Sequence, residues 1–487
     1  MKKLSLLLAI LCSFNLLSNC VSQNQPNEIK SNIEYLASDQ LMGRETGTPG
    51  NEMAAEFIAQ KFREYGLASP EGVDGYLQNV ALRKVIPPTT GTIAMMGKTY
   101  HVSHDMLTID GEHLKSDAKF IFLDYGNSEK DYDGIDTKGK IIITRLGEPG
   151  ASGFSRFSSM NSKRTLAQKH GATALVEMLD EEMPWDRIKN YFNRDRMEVI
   201  NEADALPHFI LKDFDQNMTK AVARQKSALA AIQSPGVSKS VISSKNVIGI
   251  VKGSDSKLAD TFVMLAAHFD HVGAGMQKRG ATQEDSIFNG ARDNGMGVAA
   301  LLYAANEIAA KPAKRSVAFL ALTGEEIGLL GSYYYVQQPV IPLEKTVFVL
   351  NNDGAGVGDD SLITVIGLNM TTARDAIVQA ADSVGLQAIA DPVPQMHLFE
   401  RSDNISFANK GIPAPTFSPG FTEFNEQLMA RYHHPDDEID ADFPFAYLDK
   451  FCEAYALAAR FIANMEDPPI WVAGSKYEEL ARELYNK

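Results

Sequence analysis

The run "LAAHFDHVG" closes with His268 and Asp270, spaced i and i+2 so that both side chains can share one face of an extended chain. "FNGARDNGMG" puts Asp293 at the head of a predicted helix. "LTGEE" sets Glu325 and Glu326 side by side just after Gly324, at the mouth of an apolar run. "VLNNDGAG" ends another run in Asp353, and "RYHHPDDEID" supplies His433 and His434 far downstream. Taken singly, His268 reads as a hydrogen-bonded core histidine, Asp293 as a helix N-cap and Asp353 as a turn aspartate. Those readings do not explain why successive strand and loop ends all carry His, Asp or Glu. A mixed set of imidazoles and carboxylates without cysteine suits zinc, with cobalt or manganese as substitutes. The number of donors suggests two ions, which in hydrolytic sites lie about 3.5–4 Å apart and clamp a water.

Elements able to position these residues follow from the hydrophobic pattern. After Ser244 the runs "NVIGIVKG", "TFVMLAAH", "SVAFLALT", "TVFVLNND" and "SLITVIG" read as buried strands, and "GMGVAALLYAANEIAA" as a helix between two of them. Such alternation predicts an α/β fold, a mixed and largely parallel sheet flanked by helices, whose site forms beyond the carboxyl ends of the strands. Near the start, "GNEMAAEFIAQKFREYGL" places Ala54, Phe57, Ile58 and Phe62 at helical spacing, with Gly66 suited to the C-terminal cap. Between about Leu82 and Ser244 the texture changes to short strand-like runs, such as "AKFIFLDYG" and "GKIIITRLG", separated by Gly and Asp turns. The acidic "DYDGID" lacks the spacing of an EF-hand and reads as a solvated turn. The chain thus divides into residues 21–81, an inserted β-rich segment 82–244 and the main part 245–487.

The termini and composition bound the setting. Lys2 and Lys3 precede an apolar run from Leu4 to Leu17, too short to span a bilayer, which reads as a secretory signal over residues 1–20. Its end, "LLSNC", resembles a bacterial lipobox, so the mature chain is either lipid-anchored to a cell-envelope membrane through Cys20 or simply secreted. Asn19 departs from the usual small residue before the cysteine. A formal charge of -15 argues against nucleic acid, which needs a basic face. Cys12 and Cys20 belong to the signal, leaving Cys452 alone in the folded part. That excludes a disulfide framework, and the helical spacing of "KFCEAYALAARFI" makes Cys452 a buried apolar residue.

Taken together, "HFD", "GARDNGMG", "GEE", "NND" and "YHHPDDE" occur in the order of metallopeptidase family 28. The chain resembles its di-zinc aminopeptidases of the aminopeptidase S and Y type from about Asn27 to Met465. "YLASDQLMGRETGTPGNEMAAEFIAQKF" is similar to that family's opening. "DYDGIDTKGKIIITRLGEPG" followed by "AQKHGATALV" resembles a protease-associated domain. The first resemblance implies a zinc-exopeptidase fold and peptide substrates with a free N-terminus. It implies one zinc on His268, Asp293 and Asp353, and a second on Asp293, Glu326 and His433, with Asp293 bridging. It further implies Glu325 as general acid/base, Tyr432 as oxyanion donor and Asp270 as the group orienting His268. His433 is preferred to His434 because Tyr432, His433, Pro435 and Asp437 match the family pattern. Three departures stand out: Arg292 where an acidic residue is common, which would alter the pocket rim; the insertion "VGAGMQKRGATQEDSIF"; and "RSDN" at Arg401–Asn404, where the family segment often ends in His. A related fold carries glutaminyl cyclase, but its usual single zinc sits poorly with an intact His268 motif. A carboxypeptidase acting on dipeptides would need a carboxylate anchor, for which Arg401 is available.

Overall fold

The computed structural model describes residues 27–73, 75–200 and 206–486. The signal and lipobox readings, with Cys12 and Cys20, lie outside the described residues. No helix among the described residues is long and apolar enough to cross a membrane. The chain forms two compact units, one through Ala81 and again from Ser243, the other Leu82–Ile242.

In the first unit the strands are β1 (Leu77–Ile86), β2 (Ser238–Val251), β3 (Phe262–His268), β4 (Ser316–Leu322), β5 (Thr346–Asn352), β6 (Leu362–Ile366), β7 (Gln387–Ala390) and β8 (Thr416–Pro419). They run in the order β7-β6-β8-β5-β3-β4-β2-β1. The central strands β8, β5, β3 and β4 are mutually parallel, while β2 and β6 pair antiparallel to their neighbours β4 and β8. Parallel strands buried on both faces read as continuous apolar runs, and "SVAFLALT" divides accordingly. Val317, Phe319 and Ala321 face one core, while Ala318, Leu320 and Leu322 face the other.

Helices α1 (Pro49–Glu64), α2 (Met296–Ala310) and α3 (Phe445–Asn464) contribute to the first of these cores. Ala54, Ile58 and Phe62 of α1 are fully buried at the helical period, and Thr48 caps its start by accepting the amide of Asn51. Gly66 follows its end with φ +75, the left-handed conformation that glycine adopts without penalty. Cys452 lies buried within α3, as its spacing predicts.

The second unit holds an eight-stranded sheet that includes Leu114–Phe122, Ile141–Arg145, Ala174–Leu179 and His208–Lys212, the last three mutually parallel. Its interior is not wholly apolar. The Lys163 ammonium, fully buried, bonds Glu177, whose other oxygen lies 2.8 Å from His208 Nε2. A buried ion pair of this kind tolerates loss of one partner poorly, because the other charge is stranded.

One buried cation shapes the first unit near the strand ends. Arg44, from the "MGRE" segment, is 1% exposed and bonds four carbonyls. Its Nε donates to Phe269 O at 2.7 Å, Nη1 to Leu36 O and to Asn289 O, and Nη2 to Gly290 O at 3.1 Å. Burial pulls its pKa down to about 10, against the pull of Asp437, Asp270 and Asp293, so it stays charged at neutral pH. Gly43 makes this approach feasible: at φ +68, a Cβ there would meet Gly273 O at 2.4 Å. Arg44→Met strands four buried acceptors and should lower unfolding free energy by about 3 kcal/mol or more. A urea titration of both proteins checks this.

Candidate metal centre

The carboxyl ends of β3, β4 and β5 converge. His268 is the last residue of β3, Glu325 and Glu326 follow β4, and Asp353 follows β5. Asp293 enters from the turn Ala291–Gly295 that precedes α2. Its φ/ψ of -112/97 is not helical, and Gly295 holds the N-cap position of α2, so Asp293 lies ahead of the cap. His433 comes from the loop after the short helix Glu426–Arg431.

Each element holds its residue for a local reason. The "TGEE" turn is pinned because Asn246 accepts the Thr323 amide and donates to Gly331 O at 3.0 Å. Ser244 bonds the Thr323 hydroxyl at 2.8 Å. The Glu325 carbonyl accepts the amides of Gly328 and Leu329, closing the turn. Asp437 holds the other side by accepting the amides of Arg292 and Asp293 at 3.0 Å.

Two groups of donor atoms result, His268–Asp293–Asp353 and His271–Asp293–Glu326–His433. Asp293 belongs to both: Oδ1 lies 3.4 Å from His268 Nε2, and Oδ2 lies 3.3 Å from His433 Nε2. His268 Nε2 is also 3.2 Å from Asp353 Oδ1, and His433 Nε2 is 3.0 Å from Glu326 Oε2. Tetrahedral bonds of about 2.0–2.2 Å place donor atoms about 3.3–3.6 Å apart; two of these spacings fall in that range and two lie just below it. The donor set and its geometry fit two ions sharing one carboxylate.

Electrostatics of the cluster agree with a cation site. Burial opposes charge on Asp293, yet His268 and His433 hold its carboxyl well below the usual range. Burial and Asp293 push Glu326 up, but His271 and His433 outweigh them and hold it at about 2. His433, despite burial, is raised to about 10 by Asp293 and Glu326. Glu325 behaves oppositely: burial, with Asp353 and Glu326 nearby, pushes it well above the carboxylate range, against the pull of His268. Adjacent glutamates thus sit in opposite environments, Glu326 held toward its ionised form and Glu325 pushed the other way. Such divergence marks a division of labour between titratable neighbours.

Asp270 takes a different place from the one implied by the resemblance. Its Oδ1 is 3.8 Å from His268 Nδ1, beyond a hydrogen bond. Its own main-chain oxygen is the nearer partner of that ring, at 3.2 Å. The carboxylate instead accepts the Thr46 hydroxyl and the amides of Glu325 and Glu326, so it steadies the GEE turn and reaches His268 only through charge. Arg292 also differs from expectation. It is 4% exposed, lies over Phe443 at 4.9 Å and pairs with Asp437 and Asp440, so it braces the Asp437 loop rather than the pocket rim. The insertion forms a small hairpin, Gly273–Ala274 with Ile287–Phe288. His434 packs on this segment, its ring against Gly280, which leaves His433 alone of the pair in the cluster.

Beside the cluster lies a cavity. Polar Glu325, Asp353, Tyr432 and His433 line it together with apolar Ile366, Leu398, Phe421 and Leu428, and Arg401 is an exposed member of the lining. The Tyr432 ring stacks on His433 at 4.0 Å. Two further residues of the neighbourhood lie within the quoted motifs but have no role expected from them. Asp403 is fully buried, and burial raises it to about 7. His271 is also fully buried, with Nδ1 2.7 Å from Glu326 Oε1. The only hint of it in the sequence is an imidazole three residues past His268 in the same strand-end loop.

Residues 246–456 match the family model described as Peptidase family M28. Over that stretch the chain is similar to peptidase family M28. The matched stretch contains all five positions expected to bind metal, together with Glu325. Aminopeptidase YwaD of Bacillus subtilis (strain 168) is 27% identical over 202 residues, 40% of this chain and 40% of that protein. A vacuolar membrane protease of Candida glabrata is 32% identical over 120 residues, 25% of this chain and 11% of that protein. These matches span well under two thirds of either relative's length. Among solved structures, an aminopeptidase from Aneurinibacillus sp. strain AM-1 aligns over 89% of this chain and 92% of its own at a TM-score of 0.51 and 19% identity. This chain and that protein share a fold.

Proposed function

We propose that this chain is an exported aminopeptidase that removes N-terminal residues from peptides at a two-zinc centre. The observation that carries the reading is Asp293, whose two oxygens face two different imidazoles while a protonatable Glu325 stands beside an apolar cavity. His268, Asp293 and Asp353 would hold one ion, and Asp293, Glu326 and His433 the other. Zinc bound here supplies Lewis acidity toward a peptide carbonyl and acidifies water.

The chain's own residues do the rest. Glu325, on the cavity and outside both donor groups, takes a proton from the attacking water and delivers it to the leaving amine. Tyr432, which lines the same cavity, donates to the developing oxyanion; burial and Asp293 hold that phenol protonated far above neutral pH. Surplus carboxylate at the cavity floor suits a free substrate ammonium, which restricts cleavage to the first residue. The Leu82–Ile242 unit serves as a protease-associated domain in this reading. Export rests on the N-terminal signal pattern and is checked by locating the mature chain and labelling Cys20 with palmitate.

The apolar wall selects the side chain. Leucyl- or phenylalanyl-nitroanilide should exceed alanyl-nitroanilide by about 10–100-fold in kcat/KM, since each methylene buried contributes about 1 kcal/mol or more. A flat panel would contradict this. Arg401 favours one second reading, a carboxypeptidase holding the terminal carboxylate of a dipeptide. The two separate on amidated substrates: an aminopeptidase cleaves Leu-Ala-amide as readily as Leu-Ala, and Arg401→Met leaves both rates within about twofold. Loss of activity on the free dipeptide alone would favour the carboxypeptidase.

A further inference from the structure

We propose that His271 is a positioning residue for the second metal site, fixing Glu326 so that one carboxylate oxygen is withheld and the other faces the ion. The inference rests on the two-metal reading above. The four close contacts of the bridging set, at 3.2, 3.4, 3.3 and 3.0 Å, approach the spacing of donors sharing an ion. The His271–Glu326 contact, at 2.7 Å, is too short for that and matches a charge-assisted hydrogen bond. Glu326 therefore divides its oxygens: Oε1 goes to His271 Nδ1, Oε2 to the side of His433 and Asp293.

The proton can be placed. A carboxylate only accepts, so the hydrogen must sit on Nδ1 and donate to Oε1. The other ring nitrogen, Nε2, is buried and has no partner, consistent with a bare lone pair rather than a stranded donor. The ring cannot turn away easily. A Cβ on Gly290 would lie 2.6 Å from the His271 ring, and the His433 ring meets it edge-on at 5.5 Å. The backbone is tied as well, since the His271 amide faces Arg44 O at 3.4 Å. Without the imidazole, Glu326 is free to rotate and present either or both oxygens to the ion. Outer hydrogen-bond partners of this kind typically contribute about 10–100-fold to metal affinity.

The test uses the full chain, stripped of metal, with His271→Ala and His271→Asn. Zinc affinities are measured by competition with a chromophoric chelator, and kcat and KM separately. His271→Ala should weaken one of two zinc sites by about 10–100-fold and leave the other, with kcat falling more than KM changes. His271→Asn, whose amide N–H stands near the position of Nδ1–H, should recover most of both. Unchanged zinc affinities in His271→Ala overturn the proposal. So does an Asn variant as deficient as Ala, because the imidazole would then be a ligand itself. Should the Ala variant not fold, His271→Leu against His271→Asn gives the same comparison. A wild-type chain that takes up no zinc would overturn the site reading and this role with it.

Discussion

Glu325→Gln should lower kcat for peptide hydrolysis by about 10²–10⁴-fold while the chain still binds two zinc ions. The substitution keeps the shape of the side chain and removes its ability to take up and release a proton. Glu325 is not one of the donors in either group, so metal content should not follow it down. KM should move little, since Glu325 borders the cavity beside its apolar wall. Measured zinc of two per chain with wild-type kcat would show that the proton is handled elsewhere. Loss of one zinc together with activity would show that Glu325 is a ligand and that the division of labour with Glu326 is wrong.

Asp293→Ala should have the wider effect. Its two oxygens face an imidazole of each donor group, 3.4 Å to His268 and 3.3 Å to His433. Removing it leaves each ion one ligand short and deprives the pair of the charge that lets two dications approach. Zinc content should fall from two to one or none per chain, and kcat/KM by at least about 10³-fold, equivalent to the several kcal/mol that metal polarisation supplies. Circular dichroism should remain that of the wild type, because the sheet and α2 are built from apolar contacts that Asp293 does not share. A variant that keeps two tightly held ions would contradict the bridging role.

Strand-end donors could be read from the sequence because each sits where a hydrophobic run stops. Glu326 and Asp353 are visible as charges that apolar strands have no reason to carry, and the runs themselves map onto β2–β6. What could not be read depends on contacts between residues far apart in the chain. Arg44 looks like a surface cation in "MGRET", yet its acceptors at Phe269, Asn289 and Gly290 lie 225 to 246 residues away. The rim expected for Arg292 came from its departure from the family pattern; Asp437 and Asp440, which pair with it and make its burial tolerable, lie more than 140 residues on. Asp270 was assigned to the nearest imidazole, whereas the fold turns its oxygens to the amides of the next strand's end. His271 had no periodicity or motif slot to mark it, and only the closing of the β3 loop onto Glu326 gives it a role.

The central claim, two zinc ions joined by Asp293 in a peptide-cleaving site, is tested most directly by one titration. Metal-stripped full-length chain is titrated with zinc while leucyl-nitroanilide hydrolysis is followed. The account predicts no hydrolysis without metal and a rate that reaches its plateau at two equivalents per chain. Hydrolysis by the stripped chain, or a plateau at a single equivalent, would contradict it.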